Sequence, residues 1–167
     1  LPSALARIEG NEVVLVLPYY KKIKENAAFP VEQVAQLTVQ LGWRNQFCGV
    51  MALQGRTDGV KVLFNGVMYR EITKGKGDKP TPKAMITVHY TGKLINGKVF
   101  DSTQQGRPAT FKLNQLIDGW RTALREMPVG SRWEIVIPFN LGYGAKGAGV
   151  IKPFSTLIFD VRLISMG

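Results

Sequence analysis

Residues 84–103 read AMITVHYTGKLINGKVFDST, and this stretch predicts a β-hairpin. Its first part, Ala84 to Ile95, is rich in β-branched residues, which are enriched in strands. The dipeptide Asn96-Gly97 is a strong short-range hairpin signal, because both residue types tolerate the positive φ that a primed turn requires. We therefore expect two antiparallel strands joined by a two-residue turn of the primed type.

Further strand patterns lie on both sides of this hairpin. Residues 67–73, 131–138 and 155–164 each alternate between two faces with different side chains. In the second of these segments, Trp133 and Ile135 share one face, which indicates a half-buried strand. Together with the two strands of the hairpin, these segments predict a five-stranded antiparallel sheet, and a further short strand is predicted at residues 109–113.

The clearest helix pattern of the chain lies at residues 118–127. Asp118 is predicted to be its N-cap, and Pro128 and Gly130 mark its end. One late helix and five strands without a βαβ repeat predict an α+β fold, in which an antiparallel five-stranded sheet wraps around one short helix. Because the helix covers one face of the sheet, an apolar hollow is expected between the two.

The first part of the chain follows a different pattern. Residues 1–65 are predicted to form an N-terminal segment, and residues 66–167 the main domain. Residues 30–53 begin with a proline, which suits a first helical position, and carry apolar residues at helical spacing. A shorter helix is predicted at residues 19–28 and a strand at 12–17. We expect this segment to be mainly helical and to pack against its neighbours or against a second copy of the chain.

Composition and charge exclude several classes of function. The chain has 167 residues and a net charge of +10, which could attract nucleic acid. Its basic residues are scattered singly among apolar ones, so a solvated basic surface is favoured and no nucleic-acid partner is predicted. With Cys48 and His89 as the only residues of their types, an intramolecular disulfide is excluded and a zinc site is not expected. No apolar run of about 18 residues exists, so no membrane span is predicted.

Side chains suited to covalent or acid–base catalysis are scarce. His89 lies in the middle of a predicted strand, where a structural role is more common than a catalytic one. The glycine-rich residues 75–77 and 144–147 lack the spacing of a phosphate-binding loop between a strand and a helix. No cofactor and no metal are predicted. The chain is instead rich in aromatic residues at strand ends and in loops, namely Tyr90, Phe100, Phe111, Trp120, Tyr143 and Phe159.

Six short motifs follow one another along the second part of the chain. They are VHYTG at 88–92, GKVFDS at 97–102, GW at 119–120, MPVG at 127–130, GYGA at 142–145 and TLIFDV at 156–161. In order and spacing they resemble the FKBP family of peptidyl-prolyl cis–trans isomerases over residues 66–167. The junction at residues 57–72 is similar to that of bacterial macrophage-infectivity-potentiator-like FKBPs, in which a helical N-terminal part precedes the isomerase domain.

The resemblance implies the FKBP fold, rotamase activity on X–Pro bonds and an apolar pocket with Trp120 as its floor. The side chains implied to be catalytic are Tyr90, Phe100, Asp101, Trp120, Tyr143 and Phe159. The residues implied to bind substrate are Leu116, Ile117, Val150 and Ile151. The Ile151 N–H and the Tyr143 hydroxyl would donate hydrogen bonds to substrate carbonyls. Ala109 stands where relatives often carry a pocket aromatic, so one wall is expected to be lower.

The resemblance also implies partners and a location. Proline-containing polypeptides would be the clients, and macrolide immunosuppressant-type compounds would be inhibitors. A homodimer through the N-terminal segment is expected, and the cell envelope or periplasm is favoured over the cytoplasm. The alternative hypothesis is a binding module or chaperone that has the fold without significant isomerase activity. The pocket residues present favour the enzyme, because a module that only binds would be freer to lose them. These residues are Tyr90, Phe100, Asp101, Trp120, Ile151 and Phe159.

Overall fold

The structure is a computed structural model that describes residues 6–9, 12–15, 28–30, 45, 48–49, 52–53, 58–63 and 65–167. Near its start lies a three-stranded antiparallel sheet of β1 (Ala6–Glu9), β2 (Glu12–Leu15) and β3 (Ala28–Pro30). In this sheet β2 pairs with both other strands. The strand predicted at residues 12–17 is therefore confirmed in its first four residues.

The same sheet corrects the helices predicted for the N-terminal segment. Ala28 was expected to end one helix and Pro30 to begin the next, but both lie in β3. Pro30 ends an edge strand, where a missing N–H is tolerated. A mainly helical segment is therefore not confirmed, and the other residues of both helix predictions lie largely outside the described ranges. The described helical residues between 30 and 53 are Asn45, Cys48, Gly49 and Ala52.

The main sheet has seven antiparallel strands instead of the predicted five. Its order is β4-β5-β9-β10-β6-β7, and β8 pairs with β6 at residues that precede the β7 pairing. The short strand predicted at residues 109–113 is confirmed as β8, whereas β4 has only three residues, which is too short for alternation to identify it. The strands are β4 (Val60–Val62), β5 (Met68–Thr73), β6 (Met85–Leu94), β7 (Val99–Ser102), β8 (Ala109–Lys112), β9 (Arg132–Ile137) and β10 (Leu157–Met166).

The hairpin predicted from residues 84–103 forms between β6 and β7, but its turn differs from the prediction. The Leu94 N–H donates to the Lys98 carbonyl, and the Gly97 N–H donates to the Leu94 carbonyl, so the loop has three residues. Gly97 has a φ of 86°, whereas Asn96 does not have a positive φ. A two-residue type I′ turn needs positive φ at both positions. The longer loop needs only Gly97 in the left-handed region.

The helix of the main domain is α1 (Asp118–Leu124), which follows a short 3₁₀ helix at Leu113–Gln115. Its N-cap is Ile117, with no side-chain cap, so the N-cap role predicted for Asp118 is wrong. Asp118 instead forms an ion pair with Arg121 one turn later. The helix is amphipathic and buries Gly119, Trp120, Ala123 and Leu124. No helix in the described part of the chain is long and apolar enough to span a bilayer.

Both faces of the main sheet are covered where β5, β9 and β10 run side by side. One face contributes Trp133, Ile135 and Ile137 to the core shared with α1, as their alternation predicted. On the other face, Val136 and Met68 pack with residues 52–53 of the N-terminal segment. The described end of that segment therefore lies on the back of the sheet.

Candidate active site

Four aromatic side chains from four different elements surround one cavity beside α1. Tyr90 comes from β6, Phe100 from β7, Trp120 from α1 and Phe159 from β10. The ring centroid of Trp120 lies 5.2 Å from that of Tyr90 and 5.3 Å from that of Phe159. Both contacts are edge-to-face, a geometry that aromatic quadrupoles favour. The cavity has a volume of about 240 Å³.

Most residues singled out in the sequence meet at this cavity. Trp120 and Phe159 are buried, with 4% and 3% of their surface exposed, and form its closed end. Tyr143 is 38% exposed and brings its ring from the loop that precedes β10. The predicted residues that line the cavity are Tyr90, Phe100, Asp101, Leu116, Ile117, Trp120, Tyr143 and Phe159.

Val150 and Ile151 are not among the lining residues. Val150 points largely to solvent, with 58% of its surface exposed, and Ile151 is buried in the main core. The Ile151 N–H donates to the Ala148 carbonyl at 2.8 Å, and the Ala148 N–H donates back to the Ile151 carbonyl at 2.9 Å. This closed turn uses the N–H that was predicted to reach a substrate carbonyl. In this structure the Ile151 N–H is thus bonded within its own loop, and its role as a donor to substrate stays a prediction.

Two lining residues, Phe111 and Gln115, were not predicted as site residues. The Phe111 ring lies 6.0 Å from that of Tyr90 and 6.4 Å from that of Trp120. Phe111 therefore provides a wall on the side where Ala109 had suggested a lower one. Its position two residues after Ala109 on β8 was the available signal, because alternate residues share a face. Nothing in the sequence distinguished Gln115 from other exposed polar residues.

The polar edge of the cavity is formed by a hydrogen bond between Tyr90 and Asp101. The Tyr90 hydroxyl donates to Asp101 Oδ2 at 2.6 Å. Burial, followed by this hydrogen bond and by the nearby charge of Asp101, raises the pKa of Tyr90 far above its ordinary value. Tyr90 therefore stays protonated at physiological pH and holds the Asp101 carboxylate at the rim.

The raised pKa of Tyr90 predicts a loss of stability in alkaline solution. Because the folded protein holds the phenol proton more tightly, this stabilisation is complete below the ordinary pKa of 10.0 and is lost as pH rises through the higher folded value. We expect the melting temperature to fall above about pH 10, and to fall less steeply in Tyr90→Phe. Thermal denaturation of both proteins across that range would test this. If the melting temperatures of the wild type and of Tyr90→Phe fell equally steeply with pH, the prediction would be wrong.

A second cleft, of about 490 Å³, lies against the polar side of α1. It is larger than the aromatic cavity, but its lining includes Asp118, Arg121, Arg125 and Glu126. No aromatic ring lines this cleft, and it shares no lining residue with the aromatic cavity. The aromatic cavity is therefore the better candidate for a site that acts on an apolar group.

The aromatic cavity lacks the arrangement needed for proton transfer or nucleophilic attack. His89 lies outside it and shares a hydrogen bond with the Thr103 hydroxyl at 3.0 Å. Within the described residues, no group of three His, Cys, Asp or Glu side chains is placed to hold a metal ion. What the cavity offers is a wall of aromatic rings, two phenol hydroxyls and the Asp101 side chain, which suit the binding of an uncharged ring.

Comparison with known proteins agrees with this geometry. A family model described as FKBP-type peptidyl-prolyl cis-trans isomerase matches residues 76–164. The FKBP-type 22 kDa peptidyl-prolyl cis-trans isomerase of Escherichia coli is 49% identical over 113 residues, which are 66% of this chain and 55% of the relative. The Outer membrane protein MIP of Legionella longbeachae is 49% identical over 110 residues, which are 65% of this chain and 47% of that protein. The chain thus spans about half the length of the curated relatives it matches.

The fold matches solved structures of the same kind. A peptidyl-prolyl cis-trans isomerase from Pseudomonas syringae superposes with a TM-score of 0.68 at 36% sequence identity. The match covers 83% of this chain and 97% of that one. Because the family model spans more than half of the chain and the fold agrees, the chain belongs to the FKBP-type peptidyl-prolyl cis-trans isomerase family.

Proposed function

We propose that the protein catalyses cis–trans isomerisation of X–Pro bonds in polypeptides. The observation that carries this proposal is the joint enclosure of one cavity by Tyr90, Trp120 and Phe159. Rings that pointed away from each other would have left no place for a proline ring. Phe100 completes the enclosure through an edge-to-face contact with Phe159 at 5.6 Å.

The catalytic power of such a cavity follows from the electronic structure of the amide. The barrier to rotation is about 18–20 kcal/mol, because the C–N bond has partial double-bond character. The planar amide carries separated charge that water stabilises, and twisting the bond removes this separation. A dry aromatic cavity therefore disfavours the planar form relative to the twisted one, which is selective stabilisation of the transition state. A millionfold acceleration would require about 8 kcal/mol from this desolvation and from positioning.

Two hydrogen-bond donors are proposed to hold the substrate backbone. Tyr143 is exposed and lines the cavity, so its hydroxyl can reach a peptide carbonyl. The second donor is the Ile117 N–H, because the Ile151 N–H predicted from the sequence is bonded within its own loop in this structure. Ile117 lines the cavity as the N-cap of α1, and no hydrogen bond within the described part of the chain uses its N–H. Its carbonyl, in contrast, already accepts from the N–H groups of Trp120 and Arg121.

A direct rate measurement tests the proposed activity. Exchange between the cis and trans forms of a short X–Pro peptide is measured by NMR, without a coupled protease, in the presence and absence of the protein. We expect faster exchange, and inhibition by a macrolide that competes for the cavity. If the peptide binds without faster exchange, the protein is a binding module and the proposal fails.

The Tyr90–Asp101 hydrogen bond is proposed to orient the rim of the cavity. Asp101→Ala is expected to lower kcat/KM about tenfold, since losing one positioning hydrogen bond costs about 1.4 kcal/mol in the transition state. The melting temperature should change little, because the Asp101 side chain is exposed. Tyr90→Phe removes the same hydrogen bond but keeps the ring, and should show a loss of similar size. If kcat/KM were unchanged in both variants, the Tyr90–Asp101 hydrogen bond would have no role in catalysis.

We also propose a location in the cell envelope and a homodimer. The first is supported by the relative named Outer membrane protein MIP. The dimer is proposed through the N-terminal segment, on the similarity of residues 57–72 to the junction of dimeric relatives. Light scattering at micromolar concentration would test the dimer, and a monomer mass would exclude it.

A further inference from the structure

One hydrogen bond joins the N-terminal segment to the part of the main domain that precedes the Tyr143 loop. Asn45 Nδ2 donates to Asn140 Oδ1 at 2.9 Å, across 95 residues of sequence. Asn45 is buried, with 9% of its surface exposed, whereas Asn140 lies at the surface. Because Asn45 is buried, its hydrogen bond to Asn140 is shielded from water and can restrain the partner that accepts from it.

Asn140 lies at the centre of a short 3₁₀ helix, Phe139–Leu141, that leads directly into the loop. The Phe139 carbonyl accepts from the Gly142 N–H at 3.1 Å and from the Gly144 N–H at 2.9 Å. These two donors are the residues on either side of Tyr143. The backbone on both sides of Tyr143 is thus hydrogen-bonded to the 3₁₀ helix that contains Asn140.

Later residues of the loop are hydrogen-bonded to the backbone of Tyr143 and Gly144. The Phe154 N–H donates to the Gly144 carbonyl at 3.0 Å, and the Gly147 N–H donates to the Tyr143 carbonyl at 3.1 Å. Gly144 and Gly147 both have positive φ, with values of 66° and 67°. Glycines in the left-handed region give the loop many alternative conformations, so its shape depends on where it is anchored.

We propose that Asn140 is a positioning residue for Tyr143, and that Asn45 sets its position from the N-terminal segment. The inference rests on the proposed function, since it concerns the Tyr143 hydroxyl of the same site. Through this hydrogen bond, Asn45 acts on substrate binding without itself lining the cavity. Asn45 and Asn140 are both absent from the residues that line it.

Breaking the bond is expected to affect binding more than the chemical step. If the loop places Tyr143 correctly only about a third of the time, the apparent KM rises about threefold. The kcat should stay within about twofold, because the hydroxyl contacts ground state and transition state alike. Asn140→Ala removes the acceptor. Asn140→Asp keeps an oxygen that accepts from Asn45 Nδ2, so it is expected to retain the wild-type KM.

The test uses the full chain labelled with 3-fluorotyrosine. The chain has five tyrosines, and Tyr143→Phe identifies the fluorine resonance of Tyr143 by its loss. We expect Asn140→Ala to shift or broaden that resonance and to raise KM, and Asn140→Asp to restore both. Asn45→Ala should shift the same resonance, and the double variant should add no further change, because the two single changes remove one bond.

A matched control comes from another long-range hydrogen bond that an asparagine side chain donates. Asn65 Nδ2 donates to Thr122 Oγ1 on α1 at 2.8 Å. Asn65→Ala therefore also removes a hydrogen bond donated by an asparagine amide, but one that lies away from the Tyr143 loop. It should lower the melting temperature without moving the Tyr143 resonance. An unmoved resonance in Asn140→Ala would overturn the proposal. A moved resonance in a chain without isomerase activity would refute the proposed function and leave this coupling intact.

Discussion

Trp120→Leu is expected to lower kcat/KM by at least about a hundredfold, which corresponds to about 2.7 kcal/mol in the transition state. The Trp120 indole is 4% exposed and contacts the rings of Tyr90, Phe111 and Phe159. A smaller side chain opens the closed end of the cavity to water. The planar amide regains the solvation that the enclosure denies it, so the advantage of the twisted form is lost.

The same substitution also removes buried surface, so a stability control is required. Truncation of a buried tryptophan costs about 3–5 kcal/mol in the most severe case. Trp133→Leu is the matched variant, because Trp133 is 2% exposed, stacks on Tyr69 and does not line the cavity. Both variants should have lower melting temperatures, but only Trp120→Leu should lose activity at a temperature where both are folded. Equal activity losses would show that Trp120 acts through folding alone.

Gly92→Val is expected to abolish most activity by displacing two cavity rings. Gly92 lies on β6 between the edges of Phe100 and Phe159, and a Cβ built there would lie 2.8 Å from an atom of each ring. Carbon atoms do not approach so closely, so the edge-to-face pair of Phe100 and Phe159 must separate. Forcing extra carbon into a packed region costs about 1–3 kcal/mol of stability.

The Gly92 prediction is checked by activity and by unfolding in denaturant. Gly97→Ala serves as the control, because Gly97 has a positive φ of 86° but no atom within 4 Å of a built Cβ. It should lose about 1 kcal/mol of stability through backbone strain while kcat/KM stays near wild type. If Gly92→Val kept wild-type activity, the Phe100–Phe159 contact would have no part in catalysis.

The predicted strands were mostly confirmed, because each exposes a period-two pattern over six residues or more. The segments at 131–138 and 155–164 appear as β9 and β10, and their inward residues are buried in the core. The short strand predicted at residues 109–113 appears as β8, whereas β4 was missed, since three residues give too few alternations. The hairpin was found, but its turn was misjudged because Asn96-Gly97 fits both a primed turn and a three-residue loop.

The candidate site was predictable wherever the chain itself sets the direction of a side chain. Tyr90, Phe159 and Trp120 were assigned to the pocket by their positions in the FKBP-like motifs, and alternation along β6 and β10 and the amphipathic pattern of α1 agree with that placement. Val150 and Ile151 could not be placed in this way. Their loop has no repeating geometry, and its closed turn between Ala148 and Ile151 depends on hydrogen bonds that form only in the folded chain.

The amino-acid sequence by itself determined the family, the antiparallel sheet with its short helix, and the aromatic residues of the cavity. These follow from local periodicity and from short motifs whose order and spacing can be seen in the sequence. Only the tertiary structure decided that Asn45 contacts Asn140, that residues 52–53 cover the back of the sheet, and that the Ile151 N–H is already occupied. Contacts between distant segments depend on how several elements pack at once, and no local pattern encodes that.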